Sequence, residues 1–174
     1  MTKIIMLLAL CALLFGTSIF PGNAQSLKEV ELTAKAFGVK LQHLDVLDLK
    51  DIETAFRAAS KGRAEAVLMM VAGGVASAHR TKIVDLAVKS RLPVIYQGRA
   101  YVEVGRLMTY GVNLPDLDRR AATYVDKILK GAKPADLPVQ QPTKFELIIN
   151  LKAAKQIGLT IPPNVLARAN KVLR

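Results

Sequence analysis

The chain has 174 residues, enough for one compact core, and carries a formal charge of +11 with one cysteine and no tryptophan. Its basic residues are scattered and no aromatic-rich strand offers a stacking platform, so the charge favours a solvated basic surface and no nucleic-acid partner is predicted. A single cysteine excludes an intrachain disulfide and a cysteine metal cluster.

Residues 1–24 have the pattern of a secretory signal peptide. Lys3 precedes an apolar run over residues 4–15, and the small residues that end at Ala24 fit cleavage after it. Cys11 lies in this run after a leucine, where lipoprotein processing needs a small residue, so lipid attachment is not expected. We predict an exported, periplasmic or extracytoplasmic chain with the signal removed. Retention of the segment as an N-terminal anchor is the alternative.

Helix and strand patterns alternate after the signal, which predicts an α/β fold with a parallel sheet. The first helix pattern begins at Ser26 with no strand pattern between it and the signal. The predicted strands cover residues 39–46, 65–71, 93–96, 106–110 and 145–149. The predicted helices cover residues 26–37, 48–59, 77–90, 100–104, 115–130 and 150–157, with a final helix opening at residues 162–163. Asn150 can cap the helix over residues 150–157.

Two helices have the most specific signals. Asp48 can cap the second helix, whose predicted buried stripe is Ile52, Ala55, Phe56 and Ala59. Pro115 in a first turn and Gly131 past the end delimit another helix. Its predicted inward stripe is Leu117, Ala121, Tyr124, Val125, Ile128 and Leu129.

Small and polar residues follow three predicted strands, at the sheet edge where parallel α/β folds bind ligands. An arginine there can pair with a carboxylate, and tyrosines can stack on a small ligand. Structural roles are the alternative: a tight turn for the glycines, packing for the tyrosines and a helix cap for the asparagine. The candidate ligand-binding residues are Gly73, Gly74, Tyr96, Arg99, Tyr110 and Asn113.

Enzyme chemistry is not expected. His43 and His79 are the only histidines, and neither pairs with an evident serine nucleophile. The glycine-rich patterns of dinucleotide and phosphate loops are absent from the sequence. We therefore predict no catalytic residue, no cofactor and no metal site.

One long stretch carries a family resemblance. Residues 124–163, YVDKILKGAKPADLPVQQPTKFELIINLKAAKQIGLTIPP, closely resemble the C-terminal signature of ABC-importer substrate-binding proteins, in the branch labelled tryptophan/tyrosine transport. Residues 83–96, IVDLAVKSRLPVIY, and 107–115, LMTYGVNLP, are similar to the same family. The loops after the strands at residues 65–71 and 93–96 depart from the family pattern, so ligand specificity does not carry over.

The resemblance implies a periplasmic-binding-protein-like fold of type I, with two α/β lobes joined by a hinge and a solute between them. Only the second half is matched, so the fold is predicted to be incomplete, with the first lobe largely missing. Residues 25–105 would form the second lobe, 106–131 a crossover strand and helix towards the first lobe, and 132–174 the return segment and C-terminal helices. The strand expected before Ser26 would be missing, leaving a sheet without a central strand.

The resemblance also implies a function. We predict the extracytoplasmic substrate-binding component of an ABC importer for a small solute, with an aromatic amino acid as the candidate, working with a membrane permease. Because one cleft wall buries too little of a ligand, we expect the truncated chain to be impaired. The alternative is an interaction module without a transport role, which associates with itself or with a separately encoded first lobe.

Overall fold

The computed structural model describes the backbone of residues 12–16 and 21–26 and the complete residues 27–70, 78–97 and 105–174. Its strands are β1 (Ala12–Gly16), β2 (Leu41–Asp45), β3 (Ala66–Met69), β4 (Val94–Tyr96), β5 (Met108–Val112), β6 (Phe145–Asn150) and β7 (Lys171–Leu173). Its helices are α1 (Pro21–Ala36), α2 (Leu49–Lys61), α3 (Arg80–Lys89), α4 (Leu114–Leu129), α5 (Leu151–Gln156) and α6 (Pro163–Leu166), with a 3-10 turn at Pro134–Asp136.

The strands form one seven-stranded sheet in the order β2-β1-β3-β4-β5-β6-β7. All neighbours are parallel except β5 and β6, which pair antiparallel. The α/β class and the mostly parallel sheet agree with the prediction. In the part of the chain that the structure describes, no helix has the length and apolar character needed to cross a membrane.

An inner position of the sheet, between β2 and β3, differs from the prediction. Strand β1 pairs with β2 on one side, Ala12 opposite Leu41, and with β3 on the other, Ala12 opposite Ala66. The predicted gap at the central position is therefore wrong, because the apolar run of the signal pattern fills it. An apolar run of this kind suits a strand buried on both faces as well as a signal core, and periodicity does not separate the two. Helix α1 correspondingly begins at Pro21 instead of Ser26.

The larger core lies between β2, β3, β4 and the helices α2 and α3. Asp48 caps α2 as predicted: its Oδ1 accepts from the Lys50 and Asp51 amides at 2.7 and 3.0 Å, and the Asp51 carboxylate accepts from the Asp48 amide at 3.1 Å. The predicted stripe of α2 is confirmed, since Ile52, Ala55, Phe56 and Ala59 are all buried. The local helix signals and the burial therefore agree here.

The C-terminal segment forms a second, smaller core on β6, centred on Leu107, Ile149, Ala154 and Ile161. Asn150 caps α5 as predicted, with its Oδ1 accepting from the Ala153 amide at 3.1 Å. Strand β7 was not predicted, because three residues are too few to show the alternation of apolar and polar side chains that indicates a strand. It joins the sheet at the edge, beside β6.

Helix α4 has the predicted length but not the predicted burial. Asp116 is its only buried residue, whereas Val125 is 55% exposed and Leu129 82% exposed. The predicted inward stripe is therefore wrong for this chain: the described residues leave that face of the helix uncovered. The strand before it, β5, also begins later than predicted, at Met108 instead of Arg106.

Candidate functional site

The carboxyl ends of β1, β3, β4 and β5 lie at one edge of the sheet. Phe15 is in register with Met69, Met69 with Tyr96, and Tyr96 with Thr109. Strand β5 continues past this row over residues 110–112, where its described partner is residues 145–147 of β6. These two segments, here called the ribbon, project beyond the edge at which a ligand of a parallel sheet binds.

The ribbon carries an exposed aromatic pair. Tyr110 is 55% exposed and Phe145 47% exposed, and their rings stack with centroids 6.0 Å apart and planes at 19°. Tyr110 lies opposite Leu147, so Phe145 is its diagonal neighbour on the same face of the ribbon. Tyr110 was a candidate from the sequence, whereas Phe145 was assigned only to a strand. Antiparallel pairing of the two strands is what brings them together.

Tyr96 lies in the core instead of on the surface. Its side chain is 2% exposed, and the guanidinium carbon of Arg106, itself 1% exposed, stands 4.2 Å from the centre of the ring. Burial raises the pKa of the Tyr96 hydroxyl far above its ordinary value, and the nearby Arg106 charge opposes this only in part. The packing alternative thus describes this tyrosine, and contact with a ligand stays a prediction.

Asn113 is the N-cap of α4. Its Oδ1 accepts from the Asp116 amide at 2.8 Å, and its Nδ2 donates to Glu146 Oε1 at 2.7 Å. Both polar atoms of the side chain are therefore engaged within the chain, in the cap role that the sequence offered as the alternative. A role in ligand binding stays a prediction.

Gly73, Gly74 and Arg99 lie outside the described residues, as does the short helix predicted over residues 100–104. They follow β3 and β4 in the chain. Their ligand-binding roles stay predictions.

The described residues contain no cluster of three or more His, Cys, Asp and Glu side chains suited to a metal ion. His43 Nε2 lies 3.5 Å from Asp45 Oδ1 at the surface, and His79 precedes α3 without capping it through its side chain. Neither histidine is placed in a site with other candidate residues. The only candidate site that the described side chains define is the ribbon edge.

A cluster of charged side chains lies next to the end of the ribbon, where β5 leads into α4 and where β6 begins. The Asp116 carboxylate accepts from Lys144 Nζ at 2.7 Å, and the guanidinium groups of Arg119 and Arg120 lie 3.7 and 3.9 Å from it. The hydrogen bond from Lys144 is the main cause that lowers the pKa of Asp116, and the three positive charges act in the same direction. The cluster ties the first turn of α4 to the residue before β6.

Replacing Asp116 with asparagine is expected to lower the stability of the chain at neutral pH. A carboxylate with a depressed folded-state pKa stabilises the fold above its unfolded pKa of about 3.9, and this contribution disappears as the pH falls through the folded value. The difference between D116N and the parent in urea unfolding should therefore be constant above about pH 5 and shrink below about pH 4. The control is D126N, which removes the surface pair with Lys130. Equal losses in both variants would contradict the prediction.

Comparison with known proteins identifies the family. The family model of the ABC transporter substrate binding proteins matches residues 14–173, so the chain belongs to this family, which is one of binding proteins and not of enzymes. The match begins inside β1.

Relatives of known structure have the same fold. The chain is similar to an ABC domain from Streptococcus pneumoniae solved in complex with L-Trp, at 25% identity and a TM-score of 0.80 over 95% of this chain and 55% of that one. A conserved domain protein from Vibrio cholerae is 30% identical, with a TM-score of 0.76 over 94% of this chain and 54% of its own.

A relative known by its sequence matches in a similar way. An uncharacterized Rickettsia prowazekii protein is 26% identical over 143 residues, which are 79% of this chain and 46% of that protein. The chain thus spans about half the length of these relatives.

Proposed function

We propose that the chain is an extracytoplasmic solute-binding lobe of an ABC importer and that its solute is an aromatic amino acid. Membership of the substrate-binding family supports the class of function. The same membership supports the extracytoplasmic location, because substrate-binding proteins of this family typically act outside the cytoplasm. The L-Trp bound to the Streptococcus pneumoniae relative supports the type of solute.

The observation that carries the proposal is the exposed pair Tyr110 and Phe145. Its two rings are stacked with nearly parallel planes and form an exposed apolar surface at the edge where parallel sheets bind ligands. The ring of an aromatic amino acid can stack on such a surface, which would form one wall of a cleft. Small-molecule sites bury most of their ligand, so a second wall from another lobe would have to close over it.

If the solute is held between two walls, this lobe alone should bind it only weakly. One wall leaves the opposite face of the solute in water, so the contacts that closure supplies are missing. The importer's permease would then act on the closed, two-walled form. The proposal therefore predicts weak but aromatic-dependent binding by the chain itself.

The chain has no tryptophan, so the fluorescence of added L-tryptophan reports only on the ligand. Titrating the chain into L-tryptophan should raise the fluorescence anisotropy with a dissociation constant of about 1 mM or weaker. Y110A should abolish the change, because it removes one of the two stacked rings. The matched control is F37A, which removes a 74% exposed aromatic ring outside the ribbon.

Two results would contradict the proposal. Equal binding by Y110A and F37A would show that the aromatic pair is not the wall. Binding by the parent at about 1 μM would show that one wall suffices and that closure against a second lobe is not needed.

A further inference from the structure

Three helix ends lie along the edge of the sheet opposite the ribbon. Helices α1, α2 and α3 each end in a short turn that leads into β2, β3 and β4, which run parallel. Leu41 and Ala66, the first residues of β2 and β3, both lie opposite Ala12 of β1. A Cβ atom at Gly62 would stand 2.8 Å from the side-chain oxygen of Gln42, so the turn after α2 approaches the start of β2. The turns therefore form one end of the lobe.

Each turn carries exposed basic side chains. The turns comprise residues 35–40, 61–65 and 89–92, and their only acidic residue is Glu65, which is half-buried. The basic residues form no ion pair within the part of the chain that the structure describes. This concentration of positive charge is here called the basic pole. It consists of Lys35, Lys40, Lys61, Arg63, Lys89 and Arg91.

Two residues of the basic pole occupy backbone positions that favour glycine. Arg63 and Arg91 follow the ends of α2 and α3 with φ angles of 54° and 51°, in the left-handed region. At the same place after α1, α4 and α5 the chain has Gly38, Gly131 and Gly158. A side chain in this conformation strains the backbone, and strain of this kind concentrates at functional sites. Lysines in the last turns suit the negative ends of the helices, but that effect does not require arginines at strained positions.

The same edge carries apolar groups. Phe37 lies in the turn after α1, between Lys35 and Lys40, and is 74% exposed. Strand β1 begins at this edge with Ala12, and the sequence before it is apolar over residues 4–11. Exposed aromatic and basic side chains together are typical of surfaces that lie on a membrane, where rings enter the headgroup region and cations face lipid phosphates. Duplex nucleic acid attracts the same charges but offers no apolar layer for the ring.

We propose that the basic pole docks the chain on an anionic phospholipid membrane, with the ring of Phe37 in the headgroup layer. The headgroup phosphates supply the complementary charge, and each basic residue near such a surface contributes a factor of about five to the affinity. The ribbon lies at the opposite edge of the sheet, so docking leaves the proposed solute site uncovered.

Sedimentation of the full chain with sucrose-loaded vesicles tests the proposal. Vesicles of equal parts phosphatidylglycerol and phosphatidylcholine provide the anionic surface, and vesicles of phosphatidylcholine alone provide a neutral one. R63G/R91G removes two charges and introduces the residue that the backbone favours, so its urea midpoint should not fall below that of the parent. The matched control K50Q/K133Q removes the same charge from exposed positions outside the basic pole.

R63G/R91G should bind the anionic vesicles at least about tenfold more weakly than the parent, and K50Q/K133Q should change the affinity less than about threefold. Equal losses in the two variants would overturn the proposal, because net charge alone would then explain the binding. Equal binding of the parent to anionic and neutral vesicles would also overturn it.

Insertion of the ring has its own readout. F37W introduces the only tryptophan of the chain, and its emission should move to shorter wavelength on anionic vesicles because the ring leaves water. Unchanged emission from vesicle-bound F37W would contradict insertion. Tighter binding of the parent to a duplex DNA oligonucleotide than to anionic vesicles would assign the basic pole to nucleic acid and overturn the proposal. These measurements need no solute, so their results are independent of the proposed aromatic amino acid.

Discussion

A chain that begins at Gln25 is expected to lose cooperative folding, although a cut after Ala24 matches the signal pattern. The cut falls within α1, which begins at Pro21, and removes β1 entirely. Among the described residues, β2 is joined to the sheet through β1 alone. Without β1, the backbone of β2 and one edge of β3 have no strand partner. Circular dichroism during urea unfolding should show a broad transition of low amplitude for residues 25–174.

The control for this deletion is a chain that lacks only residues 2–9 and keeps β1. It should unfold cooperatively, with a urea midpoint close to that of the full chain. If residues 25–174 unfold with that same midpoint, β1 is dispensable and the sheet tolerates an empty centre.

The deletion also bears on export. Cleavage after Ala24 would remove residues 12–16, which form β1 and pair with both β2 and β3. The chain therefore cannot both lose residues 1–24 and keep the complete sheet. Intact-mass measurement on the protein recovered from expressing cells identifies the form that accumulates. We expect the folded, soluble fraction to retain residues 12–16, and a folded fraction that begins at residue 25 would contradict this expectation.

The second large effect is expected at the buried pair of Tyr96 and Arg106. Y96L removes the ring that faces the guanidinium and leaves a cation that is 1% exposed beside an aliphatic side chain. Buried cation–π contacts contribute about 2 kcal/mol or more, so Y96L should lower the free energy of unfolding by at least that amount. Y96F, which keeps the ring, should lose less.

A double-mutant cycle separates this contact from general packing. R106M replaces the cation with an apolar side chain, and the Y96L/R106M pair should show a coupling energy of about 1 to 2 kcal/mol in urea unfolding. Combining Y96L with I149V, in the other core, should be additive within about 0.5 kcal/mol. Additive losses for Y96L and R106M would show that the two side chains act independently. A large loss of stability in Y96L would also show that Tyr96 stabilises the core, independently of any role in ligand binding.

Local signals predicted the helices well where the deciding contacts lie within a few residues. Asp48 and Asn150 are capping residues in the structure as in the prediction, because a cap depends on amides two or three positions away. The buried stripe of α2 was also predicted correctly, since the helix packs on strands of the same lobe. The five predicted strands were placed to within a few residues, whereas β1 and β7 were not predicted.

The surroundings of the candidate site residues were predicted less well. Tyr110 was identified from its place after a strand, but Phe145 lies 35 positions further along and reaches it only through the antiparallel pairing of β5 and β6. Tyr96 was selected by the same rule as Tyr110, yet it is buried under Arg106. The identity of a strand-end residue does not reveal what covers it, because the covering group comes from elsewhere in the chain.

The amino-acid sequence by itself determined the alternation of helices and strands, their caps, the family resemblance and the amphipathic character of α4. These properties depend on neighbours in the chain and on residue type. Only the tertiary structure decided that the signal-like run contains an inner strand of the sheet and that the apolar stripe of α4 is exposed. Burial of an apolar segment is favourable, but its sequence does not show which surface it packs against. That surface is determined by strand pairing and by which parts of the fold are present.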